Sequence, residues 1–115
     1  MSDCIFCRIA SGEIPARKLY EDDQVVAFHD LHPAAPVHLL VIPKVHVESL
    51  AQVGPEHEAV LGRLLSVAAR LARDQGCDGG FRTIINTGKV AGQEVYHLHL
   101  HILGGPNPLP PMLKR

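Results

Sequence analysis

The sequence predicts an α+β domain in which a mostly antiparallel five-stranded sheet carries one long helix and a short N-terminal helix. Two observations predict this fold: five short segments enriched in apolar and β-branched residues, and one long amphipathic segment between the third and the fourth of them. The turns between the strands are short, which favours antiparallel pairing. A chain of 115 residues suits one domain, so we expect a single domain over 1–115 with an extended, proline-containing tail over 104–115.

The element boundaries follow from the spacing of the apolar residues and from residues that start or stop helices. We expect a short helix over 3–10, with Asp3 or Ser2 as its N-cap. A long helix begins at Pro55, whose fixed φ suits a first turn, and stops at Gly76. Leucine and alanine recur along it at helical spacing and form one apolar face. The predicted strands cover Lys18–Glu21, Val25–His29, 38–42, 81–86 and 95–103.

Charge, hydropathy and cysteine usage limit the possible partners. A net charge of −1 provides no basic surface for a polyphosphate backbone, so we expect no nucleic-acid partner. The longest apolar run, 37–43, is too short to cross a bilayer, so we expect no membrane association. Three cysteines are a sparse, odd set that favours a reducing cytoplasm. A sheet covered by one long helix leaves an edge that a second copy can extend, so we expect a homodimer.

Three histidines alternate with apolar residues near the C-terminus, at His97, His99 and His101. Side chains on a strand alternate between faces, so these imidazoles are expected to line one face, about 6.5–7 Å apart. A solvated strand face is one alternative, but apolar residues at every intervening position argue against it. A metal site made from this strand alone is another, but a straight strand spreads its side chains rather than converging them on one ion.

An imidazole suits nucleophilic attack on phosphorus because it is uncharged near neutral pH and its phosphorylated form turns over. The attacking nitrogen needs a lone pair, so the other ring nitrogen must donate its hydrogen to an acceptor such as a backbone carbonyl. Donors must also surround the phosphate oxygens, where charge develops in the transition state. The candidate donors are Gln93, the neighbouring histidines and the backbone N–H groups near Glu94 and Val95.

Cys4 and Cys7 form a Cys-x-x-Cys pair, a spacing that suits one tetrahedral metal ion. Such an ion needs two more ligands, and His46 is a candidate third. Two alternatives stay open: a pair of reduced, buried cysteines without metal, and a redox-active pair. No βαβ unit surrounds these cysteines, which argues against the redox alternative.

Segment 97–103 matches the signature of the histidine-triad family, His-φ-His-φ-His-φ-φ with φ an apolar residue, at every position. The chain resembles that family over nearly its whole length. Leu103, Gly104 and Gly105 are more similar to the Hint branch, the purine nucleoside phosphoramidases, than to the Fhit branch of dinucleoside polyphosphate hydrolases. Further matching segments are 5–6, 13–15, 20–22, 27–30, 33–36, 38–44, 86 and 92–93.

The resemblance implies a hydrolase that cleaves the P–N bond of purine nucleoside 5′-phosphoramidates through a nucleotidyl-histidine intermediate. His99 is the implied nucleophile, supported by His38, His97 and His101. Asp30 matches the acceptor of the ribose hydroxyls. No catalytic metal is expected, since histidines and backbone donors can carry the charge. The implied nucleotide-binding residues are Phe6, Ile9, Phe28, His29, Asp30, Leu31, Asn86, Gln93 and Val95.

In similar prokaryotic members with an N-terminal cysteine pair, the first triad histidine completes a metal site. The resemblance therefore implies a structural zinc ion held by Cys4, Cys7, His46 and His97. Glu94 stands where some members have serine, and a carboxylate pointing at the phosphate would repel it. Two other functions remain open: hydrolysis of dinucleoside polyphosphates, and a nucleotide-binding or scaffolding module without catalysis.

Overall fold

A computed structural model describes residues 3–113, so Ser2 and the last two residues of the predicted tail lie outside the described range. Within this range, single turns of 3₁₀ helix at Leu50–Gln52, Pro55–His57 and Lys89–Ala91 accompany the main elements. Residues 105–113 form neither helix nor strand. The main elements are α1 (Ile5–Ala10), β1 (Lys18–Glu21), β2 (Val25–His29), β3 (Val37–Pro43), α2 (Glu58–Asp74), β4 (Arg82–Ile84) and β5 (Leu100–Gly104).

The strands form one five-stranded sheet in the order β1-β2-β3-β5-β4, and every neighbouring pair is antiparallel, as predicted. The register places Leu40 of β3 opposite His101 of β5. His38 lies two residues before Leu40, so it shares a face with His101 and stands diagonal to it. The pairing of β3 with β5 therefore brings together two histidines that are 63 residues apart in the sequence.

The two faces of the sheet carry different layers. On one face, the apolar stripe of α2 packs on alternate strand residues, as the leucine and alanine spacing predicts. On the other face, Phe6 and Ile9 of α1 pack on the remaining strand residues. The first layer includes Val25, Ala27, Leu39, Val41, Leu64, Val67, Ala68, Leu71, Leu98, Leu100 and Ile102. The second includes Phe6, Ile9, Val26, Phe28, Leu40 and Ile42.

Both helices differ in detail from the prediction. Cys4, and not Asp3, caps α1, because its Sγ accepts a hydrogen bond from the backbone N–H of Cys7. Pro55 opens a 3₁₀ turn before α2, a common way for a helix to begin, while Gly76 ends the helix at φ +86° as expected. In the part of the chain that the structure describes, no helix has the length and apolar character needed to cross a membrane.

The strand prediction was correct for β1 and β2 but too long for β4 and β5. Segment 95–99 lies outside β5, so His97, His99 and His101 do not line one regular strand. The reason is competition for hydrogen bonds. The backbone N–H of Leu98 donates to the carbonyl of Val47 at 2.8 Å, and the side chain of His97 contacts the carbonyl of Pro43 at 2.7 Å. The chain before β5 is thus bound to the loop that follows β3.

Candidate functional site

The bend before β5 divides the predicted histidines between two groups. The first, which we term the cysteine–histidine cluster, contains Cys4, Cys7, His46 and His97. The second, the triad cluster, contains His99, His101 and His38 with Asp30. Within the triad cluster, His99 links the two groups, because its ring lies beside His101 and its Nδ1 is hydrogen-bonded to the backbone carbonyl of His97.

In the cysteine–histidine cluster the four ligand atoms converge on one point. The Sγ of Cys4 lies 3.3 Å from Nδ1 of His97, and the Sγ of Cys7 lies 3.2 Å from Nδ1 of His46. The two Nδ1 atoms are 3.2 Å apart. Zinc bonds of about 2.3 Å to sulfur and about 2.0 Å to nitrogen give tetrahedral edges of about 3.3–3.8 Å. The cluster therefore has nearly the dimensions that such an ion requires.

The protonation of His97 also suits a metal ligand. Its Nε2 lies 2.7 Å from the carbonyl oxygen of Pro43, which can only accept, so Nε2 carries the hydrogen and Nδ1 keeps its lone pair. Burial lowers the pKa of His97, and the hydrogen bond to the carbonyl of Pro43 opposes that shift. The nearby His46 and His99 lower the pKa further. His97 is fully buried, and these four residues could hold a metal ion.

His99 has the tautomer that a nucleophilic imidazole needs. Its Nδ1 donates a hydrogen bond to the backbone carbonyl of His97 at 2.8 Å, so Nε2 keeps its lone pair. Nε2 makes no hydrogen bond to any residue in 3–113, and it is not among the side-chain atoms shut off from solvent. His99 as a whole is 7% exposed, so most of the residue is enclosed.

A backbone N–H determines the tautomers of the other two histidines. The N–H of Ala34 donates to Nδ1 of His38 at 2.9 Å, so the uncharged ring of His38 carries its hydrogen on Nε2. The Nε2 of His38 lies 3.0 Å from Nδ1 of His101, to which its hydrogen points. An oxygen of Asp30 lies 3.4 Å from the same Nε2. His101 accepts on Nδ1 and presents N–H from Nε2. Burial and the neighbouring His99 and His38 lower the pKa of His101 to about 4, although Asp30 opposes the shift.

The predicted apolar wall contacts His99 through Phe6. The Phe6 ring lies edge-on to His99, with 5.1 Å between centroids, and 5.7 Å from Phe28. Ile9 belongs to the same buried layer, and Val95 packs against it. By contrast, Leu31 is 81% exposed and contributes no enclosed surface.

The polar residues predicted to bind the nucleotide lie in different environments. Asn86 lines a cleft of about 380 Å³ together with His38 and His101. Gln93 is buried, and its amide is engaged with backbone: it donates to the carbonyls of residues 48 and 95 and accepts from the N–H of residue 88. His29 is the last residue of β2 and is half-buried. Burial lowers its pKa, and the positive charge of Arg17 lowers it further by a smaller amount.

Sequence reasoning missed two backbone groups and one surface. The N–H of Ala34 and the carbonyl of Pro43 fix imidazole tautomers, but a backbone group leaves no side-chain signal; only their positions inside the matching segments 33–36 and 38–44 pointed to them. The cleft beside His38 is also lined by Arg82 and by residues 109–112 of the tail, which the sequence places in no element.

Comparison with known proteins agrees with this arrangement. A family model described as "Scavenger mRNA decapping enzyme C-term binding" matches residues 3–113. The chain is 55% identical over 106 residues to "Protein HitA" of Neisseria gonorrhoeae, covering 92% of this chain and 99% of that protein. It is 47% identical over 112 residues to the "Purine nucleoside phosphoramidase" of Escherichia coli K12, covering 96% of this chain and 93% of that protein.

Solved structures show the same architecture. A histidine triad protein from Clostridium difficile superposes with a TM-score of 0.92 at 48% identity, covering 98% of each chain. A HIT family hydrolase from Legionella pneumophila superposes with a TM-score of 0.88 at 44% identity, covering 91% of this chain and 95% of that one. The elements that carry both clusters therefore belong to a shared fold.

Proposed function

The chain belongs to the histidine-triad (HIT) family of hydrolases, and on that premise we propose that it cleaves the P–N bond of purine nucleoside 5′-phosphoramidates. The observation that carries the proposal is the hydrogen bond from His99 Nδ1 to the His97 carbonyl, which leaves an accessible lone pair on Nε2. The name of the Escherichia coli relative supports the substrate class.

In the first step, the Nε2 lone pair of His99 attacks the α-phosphorus and the P–N bond breaks. The bond electrons go to the departing nitrogen, which takes a proton from solvent and leaves as an amine. The ring now carries phosphorus on Nε2 and hydrogen on Nδ1, so it is positively charged. The His97 carbonyl, 2.8 Å from Nδ1, stabilises that charge.

In the second step, water attacks the phosphorus and releases a proton to solvent. The bond between phosphorus and Nε2 breaks, its electrons return to Nε2 as the lone pair, and a nucleoside monophosphate leaves. The uncharged His101 donates from Nε2 to a phosphate oxygen in both steps, since its Nδ1 accepts from His38. A charged His101 would hold the phosphate of the product more tightly, and its lowered pKa avoids this. No step requires a metal ion, because N–H groups and the nucleophile balance the negative charge on the phosphate oxygens.

Nucleotide binding uses the residues around these rings. We assign Asp30 to the ribose hydroxyls, since its carboxylate lies at the edge of the triad cluster. Phe6, Ile9, Phe28 and Val95 form the apolar wall on the inner side. The remaining assigned residues are His29, Leu31 and Asn86, together with Gln93, which acts by holding the loop 88–95.

We assign a structural zinc ion to Cys4, Cys7, His46 and His97, whose thiolate and imidazole donors are those that zinc prefers. When bound, the ion supplies a crosslink between α1, the loop after β3 and the segment before β5. Thiolate ligation needs reduced cysteines, which supports the proposed cytoplasmic location.

We also propose a homodimer. The three-residue strand β4 leaves a short sheet edge, and Leu65 on α2 is 54% exposed. A second copy of the chain would cover both. Light scattering on purified protein tests this, with a mass of one chain as the contradicting result.

Replacing the nucleophile tests the enzyme proposal. We expect His99→Ala to lose more than about 10⁴-fold in kcat against adenosine 5′-phosphoramidate, while a nucleoside monophosphate still binds. His32→Gln, an exposed histidine outside both clusters, is the matched control and should keep wild-type kcat. Full activity of His99→Ala refutes the assignment.

Faster turnover of a dinucleoside polyphosphate than of the phosphoramidate would show that the substrate class is wrong. Binding of nucleotide without any turnover would indicate a non-catalytic module.

A further inference from the structure

We propose that the cysteine–histidine cluster, when it holds its metal ion, positions the nucleophile: metal ligation sets the hydrogen bond and the ring orientation of His99. The inference rests on the proposed function for the role of His99. It assigns the cluster a part in catalysis beyond that of a clamp on the N-terminus. Two separate contacts carry it.

The first contact is through His97, which belongs to both clusters. Its ring supplies Nδ1 to the cysteine–histidine cluster, and its backbone carbonyl accepts the hydrogen bond from His99 Nδ1 at 2.8 Å. Ring and carbonyl belong to one residue, so fixing the ring limits where the carbonyl can point. The tautomer of His99 depends on that carbonyl, because no other acceptor contacts Nδ1 within the described residues.

The segment that carries this carbonyl has little regular support. His97 precedes β5 and lies outside any strand ladder. Its position depends on the contact of its ring with Pro43, on the N–H of Leu98 bonded to Val47, and on the cluster itself. A metal–ligand bond is the strongest of these restraints, and its removal leaves the carbonyl held only by neutral hydrogen bonds.

The second contact is through Phe6, which lies between the two cysteines in the sequence. Phe6 is 7% exposed, and its ring lies edge-on to both His99, at 5.1 Å between centroids, and His97, at 6.0 Å. Ligation of Cys4 and Cys7 fixes the first turn of α1, and that turn places Phe6 against the nucleophile. The same metal ion thus restrains His99 from two sides.

The test uses full-length protein with ¹⁵N-labelled histidine, and it compares the zinc-loaded wild type with two variants that lack ligands. His46→Gln removes an exposed ligand and leaves the core intact, and Cys4→Ser/Cys7→Ser removes both thiolates. Cys77→Ala, a cysteine outside the cluster, is the matched control. Two-bond ¹H–¹⁵N correlation reports which nitrogen of His99 carries the hydrogen, and elemental analysis reports zinc.

We expect His99 to carry its hydrogen on Nδ1 in the wild type and in Cys77→Ala, each with one zinc ion per chain. In His46→Gln we expect zinc loss and a mixture of the two tautomers. The single-turnover rate of nucleotidyl transfer to His99 should fall about 10- to 100-fold, the range typical of lost positioning contacts around metal sites. The KM for the phosphoramidate should change less than kcat.

A folded, zinc-free His46→Gln protein with an unchanged His99 tautomer overturns the proposal, whatever its activity. If Cys4→Ser/Cys7→Ser does not fold, His46→Gln alone decides. The tautomer readout does not depend on turnover. A wild type without any nucleotidyl transfer would therefore refute the proposed function and leave the coupling to be judged by the nuclear magnetic resonance result.

Discussion

The cysteine–histidine cluster and the triad cluster both contain imidazole side chains, but the rings of the two clusters have different hydrogen-bonding arrangements. In the first, His97 donates outward to the Pro43 carbonyl, so its Nδ1 lone pair faces the cysteines. In the second, the Ala34 N–H donates to Nδ1 of His38. The Nε2–H of His38 therefore points at Nδ1 of His101, and the Nε2–H of His101 points toward the substrate side. The difference shows that the backbone group behind an imidazole determines whether a lone pair or an N–H faces the other residues of its cluster.

Proximity of ligand atoms alone is a poor guide to metal sites. Asp30, His38 and His101 have ligand atoms close enough to surround an ion. For Nε2 of His38 to bind an ion, however, its hydrogen would have to move to Nδ1, and Nδ1 already accepts from Ala34 at 2.9 Å. The hydrogen bond therefore favours the proton-donating arrangement over metal binding at this site.

The largest effect is expected from removing the thiolates of the first cluster. Cys4→Ser/Cys7→Ser should lose its zinc and lower the free energy of unfolding by more than about 3 kcal/mol, because metal binding contributes directly to folding. Thermal unfolding should show a Tm lower by more than about 10 °C. A metal-free double variant with the stability of the wild type would mean that the cluster is a pair of reduced cysteines without a metal.

A change in the triad cluster should leave the metal and impair the chemistry. His38→Gln interrupts the donation to His101, and we expect kcat to fall about 10²- to 10³-fold. Zinc content and Tm should stay near the wild-type values, since His38 does not touch the cysteine–histidine cluster. Steady-state kinetics with elemental analysis checks both parts, and loss of zinc in this variant would show that the two clusters are not distinct.

The lowered pKa of His101 predicts a pH dependence of stability. The folded-state pKa is about 4, and the ordinary histidine value is about 6.5. Below pH 6.5 the unfolded chain binds a proton that the folded chain does not, so stability is complete above that pH and declines as the pH falls toward 4. Urea unfolding should show the wild type losing stability relative to His101→Gln, with a slope below about 1.4 kcal/mol per pH unit. Parallel curves for the two proteins would contradict this.

The smallest effect is expected from one backbone hydrogen. Ala34→Pro removes the N–H that bonds His38, and Ala34→Gly keeps it as the matched control. One hydrogen bond contributes about 1 kcal/mol, so kcat should fall about fivefold. Without that bond the triad cluster should also take up a second divalent ion in a zinc titration. Equal zinc stoichiometry and equal kcat in the two variants would show that Ala34 does not control the tautomer.

The sequence was sufficient to predict the elements whose signals are local. β1 and β2 follow from alternation around a polar turn, and α2 from its apolar stripe and Gly76. The predicted start of β5 at residue 95 was wrong, because residues 97 and 98 bond to the end of β3 and the loop after it. That contact between distant segments competes with the strand ladder. The same bend leaves the His97 ring with the cysteines and the His99 ring beside His101, so one motif contributes to two clusters.

His99 is the residue on which the proposed mechanism depends most directly, because it takes up the nucleotide. Rapid quenching of wild-type protein with adenosine 5′-phosphoramidate, followed by peptide mass spectrometry, locates any covalent product. We predict one adenylyl group per chain, on His99 and through Nε2, and none in His99→Ala. An adduct on His38 or His101, or turnover without any adduct, would contradict the account.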